Sequence, residues 1–322
     1  MSSRILLRWI LLVEALAALA IGAACMRWLG FGFWLGAASG LGAVALVRLA
    51  INANNFRMSA RAGSPTPPAF RLTPGAGLRM FAEEFGASML LSSWHMPRAR
   101  AHTRIYPDAA APPVLLIHGY GCNSGYWVQL VARLDAARIS HATLDLEPLT
   151  GDIDDYAAAI EDGVTDLLRR SGAARVVIVG HSMGGLAARA WMRTQGARAL
   201  ARLARLVTLG TPHHGTCLAA FGLGINAGQM RRMGVAGPEC AWLAALARGE
   251  DAATRARITS IYTHHDNIVA PQTSSELPGA RNLAFGGVGH VALGRNPRVL
   301  AAVMDEVQSA SQAQHFAAAL QH

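Results

Sequence analysis

The chain has 322 residues, 52% of them hydrophobic and only 15% charged, which is room for one α/β domain of about 250 residues with a short appendage and apolar enough to point to a membrane segment. The net charge of +9 comes from arginine without any lysine, scattered rather than clustered; that suits an anionic membrane surface and forms no nucleic-acid-binding module. Cys25, Cys122, Cys217 and Cys240 make neither a disulfide framework nor a metal spacing: Cys217 and Cys240 share a segment and would be able to pair in an oxidising compartment, and free buried thiols are the expectation.

From Ile5 to Ile51 the sequence is dominated by apolar residues. Residues 9–26 have membrane-spanning length and residues 33–51 nearly so, with Arg27, Gly30 and Gly32 around a tight turn; the pattern predicts a helical hairpin with two spans. Trp9, Trp28 and Trp34 suit interface positions. Gly32, Gly36 and Gly40 recur every four residues and leave one face of the second helix smooth for packing. Glu14 lies inside the first span and is expected to reach the headgroups or to pair with Arg8 or Arg27. A cleaved signal peptide would need the apolar run to stop after about 15 residues, and a lipoprotein signal ending at Cys25 conflicts with the apolar sequence beyond it. Arg4 and Arg8 precede the hairpin, Arg48, Arg57 and Arg61 end or follow it, and only Arg27 lies between, so the positive-inside rule puts both flanks in the cytoplasm.

Residues 1–57 are therefore expected to form a membrane anchor and residues 58–77, rich in Pro and Gly, a stiff linker. Residues 78–91 read as a helix packing Leu78, Phe81, Phe85 and Leu90 on the edge of a domain that runs from 78 to 322. From Pro113 short apolar runs alternate with amphipathic helices: strands at 114–117, 141–146, 175–179, 206–209, 258–263 and 280–285, and helices at 126–137, 153–170 (with Asp152 as N-cap), 186–195 and 297–310. The alternation predicts a mostly parallel, doubly wound sheet with helices on both faces. Residues 217–256 interrupt the rhythm with helix-forming sequence rich in Met, Leu, Phe and Gly. They read as a small apolar cap over the site, with ordinary core helices as the competing interpretation.

The chemistry centres on Gly180-His181-Ser182-Met183-Gly184-Gly185, between an apolar β-branched run and a helix-forming run. That is the layout of a nucleophile elbow, whose glycines make room for a strained serine. A serine hydroxyl needs a base, and the base needs an acid to orient it. His290, in the glycine-rich loop 286–290, fits the base; His315 and His322, in the tail, and His264 and His265 fit less well. Asp266, just after the 258–263 strand, fits the acid, ahead of Asp251 and Glu276. The oxyanion hole needs two backbone N–H groups: Met183, after the nucleophile, and Tyr120, in the loop His118-Gly119-Tyr120-Gly121. His118 is expected to brace that loop. His213 and His214 are adjacent, have no carboxylate or cysteine to complete a ligand set, and read as structural.

From about Pro113 to Val303 these motifs, together with Gly-Thr-Pro-His-His-Gly at 210–215, resemble α/β-hydrolases of the bacterial lipase and esterase type. The resemblance implies ester hydrolysis through an acyl-enzyme with no cofactor and no metal, since the calcium-ligand pair of some such lipases has no match here. The expected protein is a membrane-anchored hydrolase of lipid or medium-chain acyl esters, in the bacterial inner membrane, with its domain facing the cytoplasm. An acyltransferase or thioesterase using the same triad, and a non-catalytic membrane scaffold, are the alternatives.

Overall fold

The opening apolar stretches form two antiparallel helices, α1 (Ser3–Leu29) and α2 (Phe33–Arg61). The structure, a computed structural model, describes residues 2–109 and 111–319, with side chains through Ser311; His322 and the His315 side chain lie outside that range. Gly30, left-handed at φ 72°, ends α1. A Cβ on Gly40 would overlap the carbonyl oxygen of Ala18, and one on Gly36 would stand 3.0 Å from that of Gly22, so the helices meet backbone to backbone. Gly32 does not join that stripe: it has open space around it and serves as the N-cap of α2. Leu19, Trp28, Trp34 and Leu41 point outward without protein cover, and both helices are long and apolar enough to cross a membrane.

Glu14 pairs with neither Arg8 nor Arg27. Arg48 of α2 donates to it from Nε at 2.8 Å and turns Nη1 to Ser92 and Ser93, while Arg8 donates to the carbonyl oxygen of Pro97 at 2.9 Å. The base of the hairpin is thus tied to the folded domain. Nor does α2 stop where its apolar run stops: it is helical to Arg61, through the first residues of the expected linker, and only residues 62–67 run without helix before a short turn at Pro68–Phe70.

Helix α3 (Pro74–Leu90) begins behind a Thr73 cap and a proline in its first turn. Its buried side is not the expected stripe. Met80, Glu84 and Ala87 face the domain, whereas Leu78 is 70% exposed. Phe81 packs on Phe56 of α2, ring centroids 5.6 Å apart, and Phe85 and Leu11 border one cleft. The aromatic residues of α3 thus serve the hairpin, and the remaining face serves the domain.

The rest alternates: β1 (Thr103–Arg104), β2 (Val114–Ile117), α4 (Val128–Ala136), β3 (His141–Leu144), α5 (Tyr156–Ser171), β4 (Val176–His181), α6 (Met183–Gln195), α7 (Ala197–Arg202), β5 (Leu203–Leu209), α8 (Ile225–Gln229), α9 (Ala241–Arg248), α10 (Ala252–Ala256), β6 (Ile258–Thr263), β7 (Arg281–Phe285) and α11 (Pro297–Ala319). The strands lie in the order β1-β3-β2-β4-β5-β6-β7. All pairings are parallel except that of the two-residue β1 with β3. β2 and β4 are buried along their whole length, as continuous β-branched and aliphatic runs covered on both faces should be. One core layer packs α5, α6 and α9 against the sheet, and the other packs α3, α4 and α11.

Helix α5 starts at Tyr156 rather than Ile153. Asp152 does not cap it; its carboxylate accepts from the N–H of Asp154 and from Gln229 Nε2, which ties the loop before α5 to α8. Gly172, left-handed, ends α5. The 217–256 segment divides. Leu243 and Leu246 of α9 are fully buried, whereas Phe221, Leu223, Ile225 and Met233 stand exposed.

Candidate active site

The central strand β4 delivers its last residue, His181, to the C-terminal edge of the sheet, and α6 starts at Met183. Ser182, between them, has φ 53° and ψ −124°, a conformation that costs a non-glycine residue about 1–3 kcal/mol and persists only where its surroundings enforce it. The neighbouring glycines leave the space this turn requires. A Cβ on Gly180 would stand 2.7 Å from the nitrogen of Gly185, and one on Gly184 would overlap the carbonyl oxygens of Ile117 and His118. The Ser182 N–H donates to Leu209 O at 2.8 Å, and Thr211 Oγ1 donates to Ser182 O at 2.9 Å, so β5 and the loop after it clamp both sides of the elbow.

Asp266 and His290 come together. His290 Nδ1 lies 2.7 Å from Asp266 Oδ2, and both residues are buried. The other oxygen of Asp266 accepts from the N–H groups of Ile268 and Val269 at 2.8 and 2.7 Å, which fixes the carboxylate plane. An ionised Asp266 makes Nδ1 the donor and leaves Nε2 of His290 free to accept a proton. Burial alone would depress the imidazole pKa, but the charge and hydrogen bond of Asp266, with the charge of Glu84 added, outweigh it and hold His290 above the ordinary 6.5. The serine and histidine loops meet at His181, whose Nε2 is 3.3 Å from His290 O and whose ring lies 4.6 Å from that of His290 and stacks on Tyr126 at 4.0 Å. Burial first, then the proximity of His290, push the His181 pKa well below its usual value, so it stays neutral beside His290. Asn267 Oδ1 also accepts the His290 N–H at 2.9 Å.

Glu84 of α3 is the residue that sequence reasoning missed. It has no exposed surface, and its two oxygens accept from the N–H groups of Val291 and Ala292 at 3.0 and 2.8 Å. Gly289 is a glycine because any side chain there would run into this carboxylate. Burial lifts the Glu84 pKa above the ordinary 4.5, against the pull of those two N–H groups and of His290. Nothing in the sequence separates this glutamate from Glu83 beside it, and the face it shares with Met80 and Ala87 lies one residue away from the expected stripe of Phe81 and Phe85.

Met183 is the first residue of α6, where an amide has no acceptor within the helix. Tyr120 follows Gly119, which packs so closely on the elbow that a Cβ would stand 2.8 Å from that of Ser182. The Tyr120 hydroxyl donates to Leu223 O at 2.8 Å and accepts from Leu223 N at 2.9 Å, which ties this loop to the 217–256 segment. His118 accepts the Leu146 N–H at Nε2 and contacts Gly119 O through Nδ1, both at 2.9 Å. It braces the loop. His213, fully buried, accepts from Arg189 Nη1 at 3.1 Å, and Arg189 is itself held by Glu250 at 2.6 Å; His214 pairs with Glu239 at 2.9 Å. Among the described residues no group of three or more His, Cys, Asp or Glu side chains is arranged to hold a metal ion, and the four cysteines are unpaired. Cys122 is half-buried, and its loss of hydration pushes the thiol up to about 12, which makes it a poor nucleophile.

A cavity of about 320 Å³ opens at Ser182, lined by Tyr120, Pro212, Leu218 and Met230 among others. Its lining is largely apolar, with the serine as one of a few polar groups.

Residues 114–306 match the model of the alpha/beta hydrolase family, and the chain belongs to that family. Among solved structures it is similar to the mature form of lipase BlEst2 from Bacillus licheniformis, with 20% identity and a TM-score of 0.53 over 65% of this chain and 97% of that one. It is also similar to lipase B of Aspergillus fumigatus, with 17% identity and a TM-score of 0.52 over 81% of this chain and 66% of that one. At these identities the likeness is one of fold. No curated protein matches the chain.

Proposed function

We propose that the chain is a membrane-anchored serine hydrolase that cleaves carboxylic esters, of lipids or medium-chain acyl groups, through an acyl-enzyme intermediate. His290 Nε2 takes the proton of Ser182 Oγ as that oxygen attacks the ester carbonyl. The N–H groups of Met183 and Tyr120 hold the oxyanion. Collapse expels the alcohol, which leaves with the proton from His290. Water then attacks the acyl-enzyme along the same route, and Asp266 keeps Nδ1 protonated throughout.

The observation that carries this function is the pair of buried Asp266 and His290, 2.7 Å apart, with His290 packed on His181, the neighbour of a serine held at positive φ on the wall of an apolar cavity. The cavity favours acyl chains over polar substrates, and the α1–α2 hairpin, read as the anchor ahead of the hydrolase domain, keeps the site where such esters partition. Ser182→Ala should leave the fold intact and reduce the turnover of p-nitrophenyl butyrate to background; turnover that survives the substitution contradicts a serine mechanism.

A further inference from the structure

The wall of the cavity at Ser182 is not built by the hydrolase fold alone. Asn55 and Met58, on one side of α2, line it together with Leu218 and Phe221 of the cap. These two residues belong to the same unbroken helix as Val47 and Ile51, which are 60% and 58% exposed and apolar. From Ile51 to Met58 the helix advances only about 10 Å at 1.5 Å per residue. The next residue is locked to the acid loop: Ser59 Oγ donates to the carbonyl oxygen of Asp266 at 2.5 Å, and Gln272 Nε2 donates to both at 2.9 Å. Gln272 Oε1 then accepts the N–H of Ser64 at 3.0 Å. The end of α2 is therefore fixed relative to the catalytic acid from both sides.

Resting on the ester-hydrolase function proposed above, we infer that the end of α2 is a wall of the acyl-binding cavity and that Met58 sets the length of acyl chain that fits. The same helix that carries the apolar outer surface supplies the side chain the substrate meets. An amphiphilic acyl ester leaving the bilayer along α2 passes Ile51 and reaches Met58 and the cavity within about two turns. A thioether side chain suits that place, being apolar and free to repack around chains of different length. Asn55, one turn earlier, adds the polar group that an ester or its headgroup meets at the same wall.

The test uses the full-length protein in nanodiscs and the p-nitrophenyl esters of acetate, butyrate, octanoate and decanoate. Met58→Trp narrows the cavity, and its octanoate-to-butyrate ratio of kcat/KM should fall about tenfold or more, the low end of the discrimination that even one methylene produces in an apolar pocket. Met58→Ala should raise that ratio. Arg57→Ala, changing an exposed neighbour on the same helix, should leave it unchanged. Labelling of Ser182 by a fluorophosphonate reports that each variant keeps a formed site, and if Met58→Trp does not fold, Met58→Ala decides. Normal labelling with the same chain-length profile in both Met58 variants overturns the inference and leaves the hydrolase function standing. A wild-type protein that neither labels nor cleaves any of the four esters removes that function, and this inference with it.

Discussion

At position 84 a carboxylate without exposed surface accepts two backbone N–H groups from the residues that follow the proposed base. We expect Glu84 to be a positioning residue that acts through His290. In Glu84→Gln the amide can accept from one of those N–H groups but not comfortably from both, and a small displacement of the base loop should lower kcat on the order of tenfold to a hundredfold. The pH profile separates this role from a merely structural one. The base must be neutral, so kcat/KM rises with pH through the His290 pKa, which lies above 6.5. Removing the anion at 84 removes one of the charges holding that pKa up, so the acid limb should move to lower pH. A limb that stays in place while activity falls would mean that Glu84 only supports the fold. At this scale Ser182, Asp266 and His290 stand out in the sequence as candidates because each follows a strand in the order such a triad needs, and glycines mark two of the three turns. Glu84 does not, because a glutamate on a helix reads as solvated unless its donors, more than two hundred residues away, are known.

Among the elements, the helices around the site are held by polar pairs that hydropathy cannot display. Glu250, between α9 and α10, and Arg189 of α6 form an ion pair with both side chains buried, and Arg189 continues to His213. Glu250→Ala leaves an uncompensated buried guanidinium and should destabilise the domain by about 3–5 kcal/mol, measurable as a lower midpoint of denaturant unfolding; a change under about 0.5 kcal/mol, typical of exposed positions, would contradict it. The sheet was readable from sequence because its inner strands are continuous apolar runs, the signature of parallel strands buried on both faces. The two-residue β1 carries no period to read. Hydropathy marked the end of an apolar run at Ile51, but helices end where backbone partners end, and α2 keeps its turns to Arg61 by packing on the domain. On α3 only Phe81 and Phe85 of the expected stripe face the hairpin, and Leu78 stands exposed.

On the scale of the whole molecule, the hairpin and the hydrolase domain share contacts at both the Arg48 bonds to Ser92 and Ser93 and the Ser59–Asp266 bond, so the hairpin and the candidate site are mechanically one. The charge distribution bears on which side of a membrane this unit would occupy. Arg4 and Arg8 lie in the first turns of α1 and Arg48, Arg57 and Arg61 in the second half of α2, with Arg27 alone near the tip of the hairpin, and the excess on the domain side favours the cytoplasm. A reporter fused after His322 that is active only in the cytoplasm should therefore fluoresce, and activity of a periplasm-only reporter at the same point would reverse the orientation. The account as a whole rests on Ser182 as a nucleophile activated by the Asp266–His290 pair. The most direct measurement is peptide mapping of the full-length protein after exposure to a fluorophosphonate. A single adduct on Ser182, absent in Ser182→Ala and strongly slowed in His290→Ala, is the predicted result; no adduct on Ser182, or labelling at the same rate without His290, would contradict it.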